Sequence, residues 1–182
     1  MNPSSRFVAG SNGGFRILWQ DGERVICRGN SRDDGTTPLL AVLPAAEHPG
    51  TAFLDRLTHE YELRDELDAA WAAKPLEFVR EQGQAILLLE DPGGEPLDRL
   101  IGPPMAIEPF LRLSIAISAA LGGLHGRGLV HKDFKPANIL VDARAGRVWL
   151  TGFGIASRLP RERQSLAPPE LIEGTLAENT CF

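Results

Sequence analysis

The chain has 182 residues, of which 43% are hydrophobic and 24% charged, and its formal net charge is −5. This composition is typical of one soluble globular domain, and the negative charge argues against a general affinity for nucleic acid or for an anionic membrane surface. Two distant cysteines, Cys27 and Cys181, and the lack of a run of roughly 18 apolar residues argue against a disulfide framework, a zinc site and a membrane span. We therefore expect a cytoplasmic protein whose partners are proteins or small molecules.

The first part of the chain carries strand patterns. Residues 1–14 are small, polar and rich in glycine, which is typical of a flexible leader. From Phe15 onward, three short apolar runs are separated by turn signals that include Asp-Gly pairs, and this pattern predicts a three-stranded meander. The runs are FRILW, RVIC and PLLAVLP.

A helix and two further strands are expected next. Thr51 follows a Pro-Gly pair and is the expected N-cap, and four apolar or aromatic residues then recur near one helical face. These four are Leu54, Leu57, Tyr61 and Leu67. The segment KPLEFVREQGQAILLLED predicts two strands joined at Gly83, so that the helix lies on a five-stranded sheet.

A second lobe is predicted to begin at DPGGEP, which interrupts the chain like a hinge. The following segment has apolar residues at helical spacing and ends in glycines, which predicts a core-facing helix. The apolar residues are Phe110, Leu113, Ile117, Ala120, Leu121 and Leu124. The segment NILVDARAGRVWLT then predicts a two-stranded hairpin that turns at Ala-Arg-Ala-Gly.

This order of elements, together with the segment HKDFKPANILV, resembles the protein kinase fold. Residues 131–133 stand where the family has His-Arg-Asp, and Lys135 and Asn138 follow at the family's spacing. Gly152 begins a Gly-Phe-Gly sequence where the family has Asp-Phe-Gly. The resemblance implies an α+β, two-lobed fold. It would have an N-lobe at 15–90 with a five-stranded antiparallel sheet and one helix, an incomplete helical C-lobe at 91–177, and a tail at 178–182.

More narrowly, the segments HEYEL, LLLEDPGGEPLDRL and LIEGTLA resemble the kinase-like module of large bacterial hybrid proteins that also carry an ATPase region and a sensor histidine kinase. This narrower resemblance implies a role in bacterial signalling, with histidine kinase or ATPase modules as protein partners.

The resemblance also implies site residues. Asp133 would be the catalytic base, Lys135 would approach the transferred phosphate, and Asn138 would ligate magnesium. Glu60, Leu89 and Asp91 would contribute to the nucleotide site, although a solvated helical carboxylate is an equal alternative for Glu60. The implied cofactors are ATP and magnesium, weakly held if bound. His131 would be structural, tying its loop together by hydrogen bonds.

Two charges that the family uses are missing. Gly152 cannot supply the carboxylate that ligates magnesium. Aligning PLLAVLP with the family's third strand puts Ala41 at the position of the phosphate-binding lysine, and no nearby lysine can replace it, so that Glu60 would have no partner. The phosphate-covering loop has Gly22 alone. Loss of the lysine and the metal ligand together is expected to slow phosphoryl transfer by about 10⁴–10⁶-fold.

Three hypotheses follow. The favoured one is a pseudokinase that acts as a regulatory or nucleotide-binding module. The second is an active Ser/Thr kinase that uses Asp133, Lys135 and Asn138, with Asp142 or Glu60 drawn into an unusual metal arrangement. The third is a truncated remnant without a stable fold, because the chain ends soon after EGTLA.

Overall fold

The computed structural model describes residues 15–31, 35–81, 84–102 and 104–159. Within these ranges the chain forms ten strands and two α-helices. The strands are β1 (Arg16–Gln20), β2 (Arg24–Asn30), β3 (Pro38–Pro44), β4 (Pro75–Glu81), β5 (Gln84–Glu90), β6 (Glu95–Pro96), β7 (Leu129–Val130), β8 (Ile139–Asp142), β9 (Arg147–Leu150) and β10 (Ser157–Arg158). The helices are α1 (Thr51–Glu62) and α2 (Ile107–Gly126). The predicted leader, the turn at Gly83 and the chain after 159 lie outside the described residues.

The N-lobe is a five-stranded antiparallel sheet with the order β1-β2-β3-β5-β4. Helix α1 connects β3 to β4, so the predicted meander, helix and strand pair are confirmed in type and order. The first turn is held by the carboxylate of Asp21, whose Oδ1 accepts the backbone N–H groups of Glu23 and Arg24 at 2.8 Å each. This turn places the start of β2 at the edge of the space between the lobes.

The two faces of this sheet bury different apolar clusters. Leu40 and Val42 of β3 share one cluster with Phe53 and Leu57 of α1. Ala41 belongs to a separate cluster that includes Val25, Cys27 and Leu43 but no α1 residue. This division follows from the strand period of two, which sends successive side chains to opposite faces.

Helix α1 differs in detail from the prediction. Gly50 is its N-cap, and Thr51 is the first helical residue with no side-chain cap, so the predicted N-cap was one residue too late. The helix ends at Glu62, and Leu67 lies beyond it, buried in the cluster of the C-lobe. The buried residues of the helix are Phe53, Leu57 and Glu60, so its inner face carries a carboxylate.

The C-lobe is built around the predicted hairpin. Strands β8 and β9 pair antiparallel, with β6 added beside β8, and the turn lies at residues 143–146 as expected. Asp142 Oδ1 accepts the backbone N–H groups of Arg144 and Ala145 at 3.0 Å each, which fixes the turn. Asp142 therefore serves the hairpin and is not drawn into a metal arrangement.

Helix α2 covers only part of this lobe. Ala120 and Leu124 are buried, and Leu113, Ile117 and Leu121 pack against the same cluster. Phe110 is 51% exposed, so its predicted core position is wrong. By length and composition α2 could also cross a membrane, contrary to the expectation from the sequence, although core helices of soluble proteins often have the same properties.

Polar ties join the N-lobe to the linker at residues 91–98. Arg28 of β2 donates to both carboxylate oxygens of Asp91, at 2.5 and 3.0 Å, and to the carbonyl oxygen of Gly94 at 2.7 Å. Trp19 Nε1 donates to Asp98 Oδ2 at 2.5 Å. These contacts hold β1 and β2 against the segment that leads into the C-lobe.

Candidate active site between the two lobes

The loop after β7 is organised by His131. This side chain is buried, and its Nε2 lies 2.9 Å from the carbonyl oxygen of Thr151. Its Nδ1 accepts the backbone N–H of Asp133 at 3.3 Å, so Nε2 carries the proton that Thr151 accepts. Burial lowers the pKa of His131, which keeps the ring neutral near pH 7. The structural role expected of His131 agrees with these contacts.

Asp133, Lys135 and Asn138 come together as the motif implies. Asp133 Oδ2 lies 2.9 Å from Lys135 Nζ and accepts from Asn138 Nδ2 at 2.9 Å. Partial burial acts to raise the pKa of Asp133, but the hydrogen bonds from Lys135 and Asn138 and the charges of Lys135 and Arg24 outweigh it, so the pKa lies below its ordinary value. The carboxylate is therefore ionised at neutral pH and engaged by two donors.

The amide of Asn138 is fully committed to protein partners. The side chain is buried, and Nδ2 also donates to the backbone oxygen of Asp133 at 2.6 Å. Its Oδ1, the atom that would ligate magnesium, accepts a hydrogen bond from Arg24 Nη2. A guanidinium thus lies where a metal ion would have to bind this oxygen.

Because Gly152 has no side chain, it leaves room for the Arg24 guanidinium. Its φ of +78° is a conformation that favours glycine. A Cβ at this position would lie 2.9 Å from Arg24 Nη1 and 2.9 Å from Asn138 Oδ1. A carboxylate at this position would therefore require the side chain of Arg24 or Asn138 to move.

Glu60 is buried at 3% exposure, which excludes the solvated carboxylate that the sequence left open. Its Oε1 accepts the backbone N–H of Gly152 at 3.0 Å. Burial raises the pKa of Glu60, and the charge of Arg24 is the largest opposing effect, followed by backbone hydrogen bonds from Phe153 and Gly152. Helix α1 is thereby tied to the Gly-Phe-Gly segment.

Arg24 is the functional residue that the sequence reasoning missed. The charge of Arg24 on β2 opposes the larger effect of burial on the pKa of Glu60, so a cation outside the third strand acts on this carboxyl. The expectation of a Glu60 without a partner rested on lysine alone as the replacement cation. The strand period of two is the signal that could have found it. Arg24 lies two residues before Ile26, whose side chain is on the α1 face, so Arg24 is expected on the same face.

The assignment of Ala41 to the lysine position also needs correction. Ala41 is fully buried on the sheet face away from α1, where it pairs with Cys27 in the strand register. The β3 side chains on the α1 face are Leu40 and Val42, and both are apolar. The third strand therefore offers no cation to Glu60, and the residues that determine this are Leu40 and Val42, not Ala41.

Leu89 and Asp91 do not join the site. Leu89 is fully buried in the apolar cluster of the N-lobe, and Asp91 is held by Arg28. Neither residue lines the cleft that contains Asp133. Packing and an ion pair engage them in this conformation, and their contribution to a nucleotide site stays a prediction.

Apolar side chains from both lobes meet behind these residues. Leu140 and Trp149 of the hairpin belong to the same buried cluster as Leu18, Leu40 and Leu89 of the sheet. Leu18, Leu40 and Leu89 have no exposed surface, so no water-sized gap adjoins them. A flat aromatic ring could enter this region only if the lobes separated.

The open part of the site is a cleft of about 210 Å³. This volume is below the range of about 300–1,000 Å³ that is usual for small-molecule sites. Its charged lining residues have mixed signs: Asp21, Glu23, Glu60 and Asp133 against Arg24, Arg56 and Lys135. The cleft therefore lacks the net positive charge that would favour a triphosphate.

The residues present do not fit a magnesium ion. In the described part of the chain, no group of three or more acidic, histidine or cysteine residues could hold a metal. Asn138 Oδ1, the oxygen expected to ligate magnesium, is bonded to the Arg24 guanidinium, and like charges repel. A metal ion at Asn138 would therefore require Arg24 to move, and this ligand stays a prediction.

The residues after the Gly-Phe-Gly segment are tied to α1 and to the residues that follow this helix. Arg158 pairs with Glu66, its Nε lying 3.1 Å from Oε2, so this arginine is engaged within the chain. His59 Nε2 lies 2.7 Å from the carbonyl oxygen of Ala156. Residues after 159 lie outside the described ranges.

Several known proteins are similar to this chain. The serine/threonine-protein kinase cot-1 of Neurospora crassa is 33% identical over 125 residues, which are 66% of this chain and 21% of that protein. The serine/threonine-protein kinase sax-1 of Caenorhabditis elegans is 32% identical over 150 residues, which are 77% of this chain and 31% of that protein. The serine/threonine-protein kinase tricornered of Drosophila melanogaster is 27% identical over 159 residues, or 82% and 34%.

The chain spans only about a fifth to a third of the length of these relatives. These relatives are fungal and animal proteins, so they do not support the narrower resemblance to bacterial hybrid proteins. Residues 45–177 match the family described as "Protein kinase domain". With its two-lobed α+β fold and its His-Lys-Asp loop, this chain belongs to the protein kinase domain family.

Proposed function

We propose that this domain is a pseudokinase that does not transfer phosphate from magnesium-bound ATP. The observation that carries the proposal is the crowding at Gly152, where a Cβ would meet Arg24 and Asn138 at 2.9 Å. The position that needs a carboxylate for metal binding holds a glycine, and a side chain there would require the Arg24 or Asn138 side chain to move. Phosphoryl transfer depends on cations that neutralise the phosphates, so this loss affects the largest part of the catalysis.

The nucleotide itself is also poorly accommodated. The fully buried Leu18, Leu40 and Leu89 support the view that the space between the lobes is closed to an adenine ring. The mixed charges of the cleft at Asp133 support the same view for the phosphates. We propose that the domain acts through protein contacts, as a regulatory module in cytoplasmic signalling, with histidine kinase or ATPase modules as candidate partners.

An active Ser/Thr protein kinase is the second candidate. Two observations favour it: the contacts of Asp133 with Lys135 and Asn138, and the names of the similar proteins. For this function, the lobes would have to separate and Arg24 would have to leave Asn138. Asp133 would then accept the proton of a substrate hydroxyl.

Phosphate transfer distinguishes the two candidates. Purified protein is incubated with magnesium, γ-³²P-ATP and a generic protein acceptor, with Asp133→Asn as the matched control. The pseudokinase hypothesis expects no label above that control. Label that depends on Asp133 would instead establish the kinase.

Nucleotide binding is measured separately by thermal melting. A ligand that binds the native state stabilises it by RT ln(1 + [L]/Kd), so tight ATP binding would raise the melting temperature. We expect no change with ATP in millimolar excess. A clear rise would restrict the proposal to a nucleotide-binding module without transfer.

A further inference from the structure

The guanidinium of Arg24 lies where the N-lobe sheet, the catalytic loop and the Gly-Phe-Gly segment meet. Nη2 donates to Asn138 Oδ1, and Nη1 lies 2.9 Å from the point where a Cβ of residue 152 would stand. The same group stacks on the ring of Trp19, 5.2 Å from its centroid. This half-buried side chain is held by the hydrogen bond to Asn138 and by the ring of Trp19.

The positive charge of Arg24 reaches the ionisable groups around it. Burial raises the pKa of Glu60 on α1, and the Arg24 charge opposes this effect; the same charge helps to lower the pKa of Asp133 on the catalytic loop and of His131. Lys135 also contacts Asp133, but it is not among the charges that act on Glu60. Arg24 is therefore the cation that the two carboxylates share.

Arg24 and Gly152 also depend on each other sterically. A side chain at 152 would require Arg24 or Asn138 to move, because the Cβ alone comes within 2.9 Å of both. With glycine at 152, the guanidinium can approach Asn138. The missing carboxylate and the extra cation are thus two parts of one arrangement.

We propose that Arg24 is a positioning residue that serves as the permanent counter-cation of this site, in the place of a divalent metal ion. It keeps Asn138 and Asp133 oriented without metal, and it excludes metal by occupying Asn138 Oδ1 and by charge repulsion. This inference deepens the proposed function and rests on it, because a site that holds magnesium for catalysis could not also hold this arginine.

The test compares thermal melts of variants of the full chain, with and without millimolar magnesium chloride. Arg24→Met removes the charge and keeps the length, and Arg80→Met is its control. Arg80 also lies on a strand, stacks on a ring (Phe78, at 4.9 Å) and makes one side-chain hydrogen bond, but it is exposed and distant from the site in the fold. We expect Arg24→Met to melt about 3–12 °C below the wild type, as loss of a charged hydrogen bond implies, and Arg80→Met to change little.

Magnesium gives the readout that a merely structural arginine would not change. We expect magnesium to raise the melting temperature of the double variant Arg24→Met/Gly152→Asp. It should leave the wild type and Arg24→Lys/Gly152→Asp unchanged, because a cation remains at position 24 in both.

Magnesium stabilisation of the wild type, or an equal rise in both double variants, would overturn the inference. An Arg24→Met protein that melts like Arg80→Met would also overturn it, and this comparison decides the question if a double variant does not fold. The phosphate-transfer assay has a separate outcome. A wild type that transfers no phosphate but binds magnesium would refute the counter-cation and leave the pseudokinase standing.

Discussion

Replacement of Gly152 by alanine tests how tightly the site is packed. The φ of +78° costs an alanine about 1–2 kcal/mol. The added Cβ would also lie 2.9 Å from Arg24 Nη1 and Asn138 Oδ1, and separating this charged hydrogen bond costs about 1.5–3 kcal/mol more. We therefore expect Gly152→Ala to lower the free energy of unfolding by about 2.5–5 kcal/mol.

Gly146 provides the matched control. It has a φ of +63° in the turn between β8 and β9, and a Cβ there would meet nothing within 4 Å. Gly146→Ala therefore has the backbone penalty without the steric one. Urea unfolding followed by tryptophan fluorescence measures both variants, and the difference between them should be about 1.5–3 kcal/mol. Equal losses in the two variants would refute the packing of Arg24 and Asn138 against Gly152.

Three further predictions concern Glu60, Ala41 and Asp91. Because burial raises the native pKa of Glu60 above 4.5, the native state binds the extra proton, and this carboxyl should add stability as the pH falls from 7 towards 4.5. Glu60→Gln should lack that component when urea midpoints are compared across this range, and an unchanged slope would contradict the burial effect. Ala41→Lys should lose several kcal/mol by placing a charge in the cluster away from α1. ATP should not raise the melting temperature of Ala41→Lys, and such a rise would show that the side chain at position 41 reaches the nucleotide site. The exposed Ala145→Lys is the control. Asp91→Asn should lose about 1.5–3 kcal/mol in urea unfolding, because Arg28 loses the more buried of its two carboxylate partners and keeps the more exposed Glu95. Glu108→Gln, which breaks an exposed pair, should lose no more than about 0.5 kcal/mol, and similar losses in the two would argue against the tie.

The elements of the fold were predictable because each has a local signal. The apolar runs, the Asp-Gly turn and the helical spacing gave five strands, α1, α2 and the hairpin in the right order. Errors arose at boundaries and faces, as with Thr51 and Phe110. Ala41 failed for the same reason, since a shift of one residue in a strand moves a side chain to the other face of the sheet.

The site was only half predictable. Asp133, Lys135 and Asn138 lie within six residues, so their spacing alone brought them together. Arg24 lies 114 residues before Asn138, and a contact over that separation depends on how the lobes pack. The sequence shows that a carboxylate is absent at Gly152. That the Arg24 guanidinium lies beside this position is visible only in the tertiary structure.

The linker between the lobes shows that glycine content alone does not make a segment flexible. DPGGEP contains Gly93 and Gly94, yet Arg28 bonds Asp91 before them and the carbonyl of Gly94 itself. Swinging the lobes apart would break these bonds together with the one from Trp19 to Asp98. The amide proton of Gly93, which donates to Asp91 Oδ1 at 2.9 Å, should then exchange with solvent more slowly than that of an unpaired loop amide.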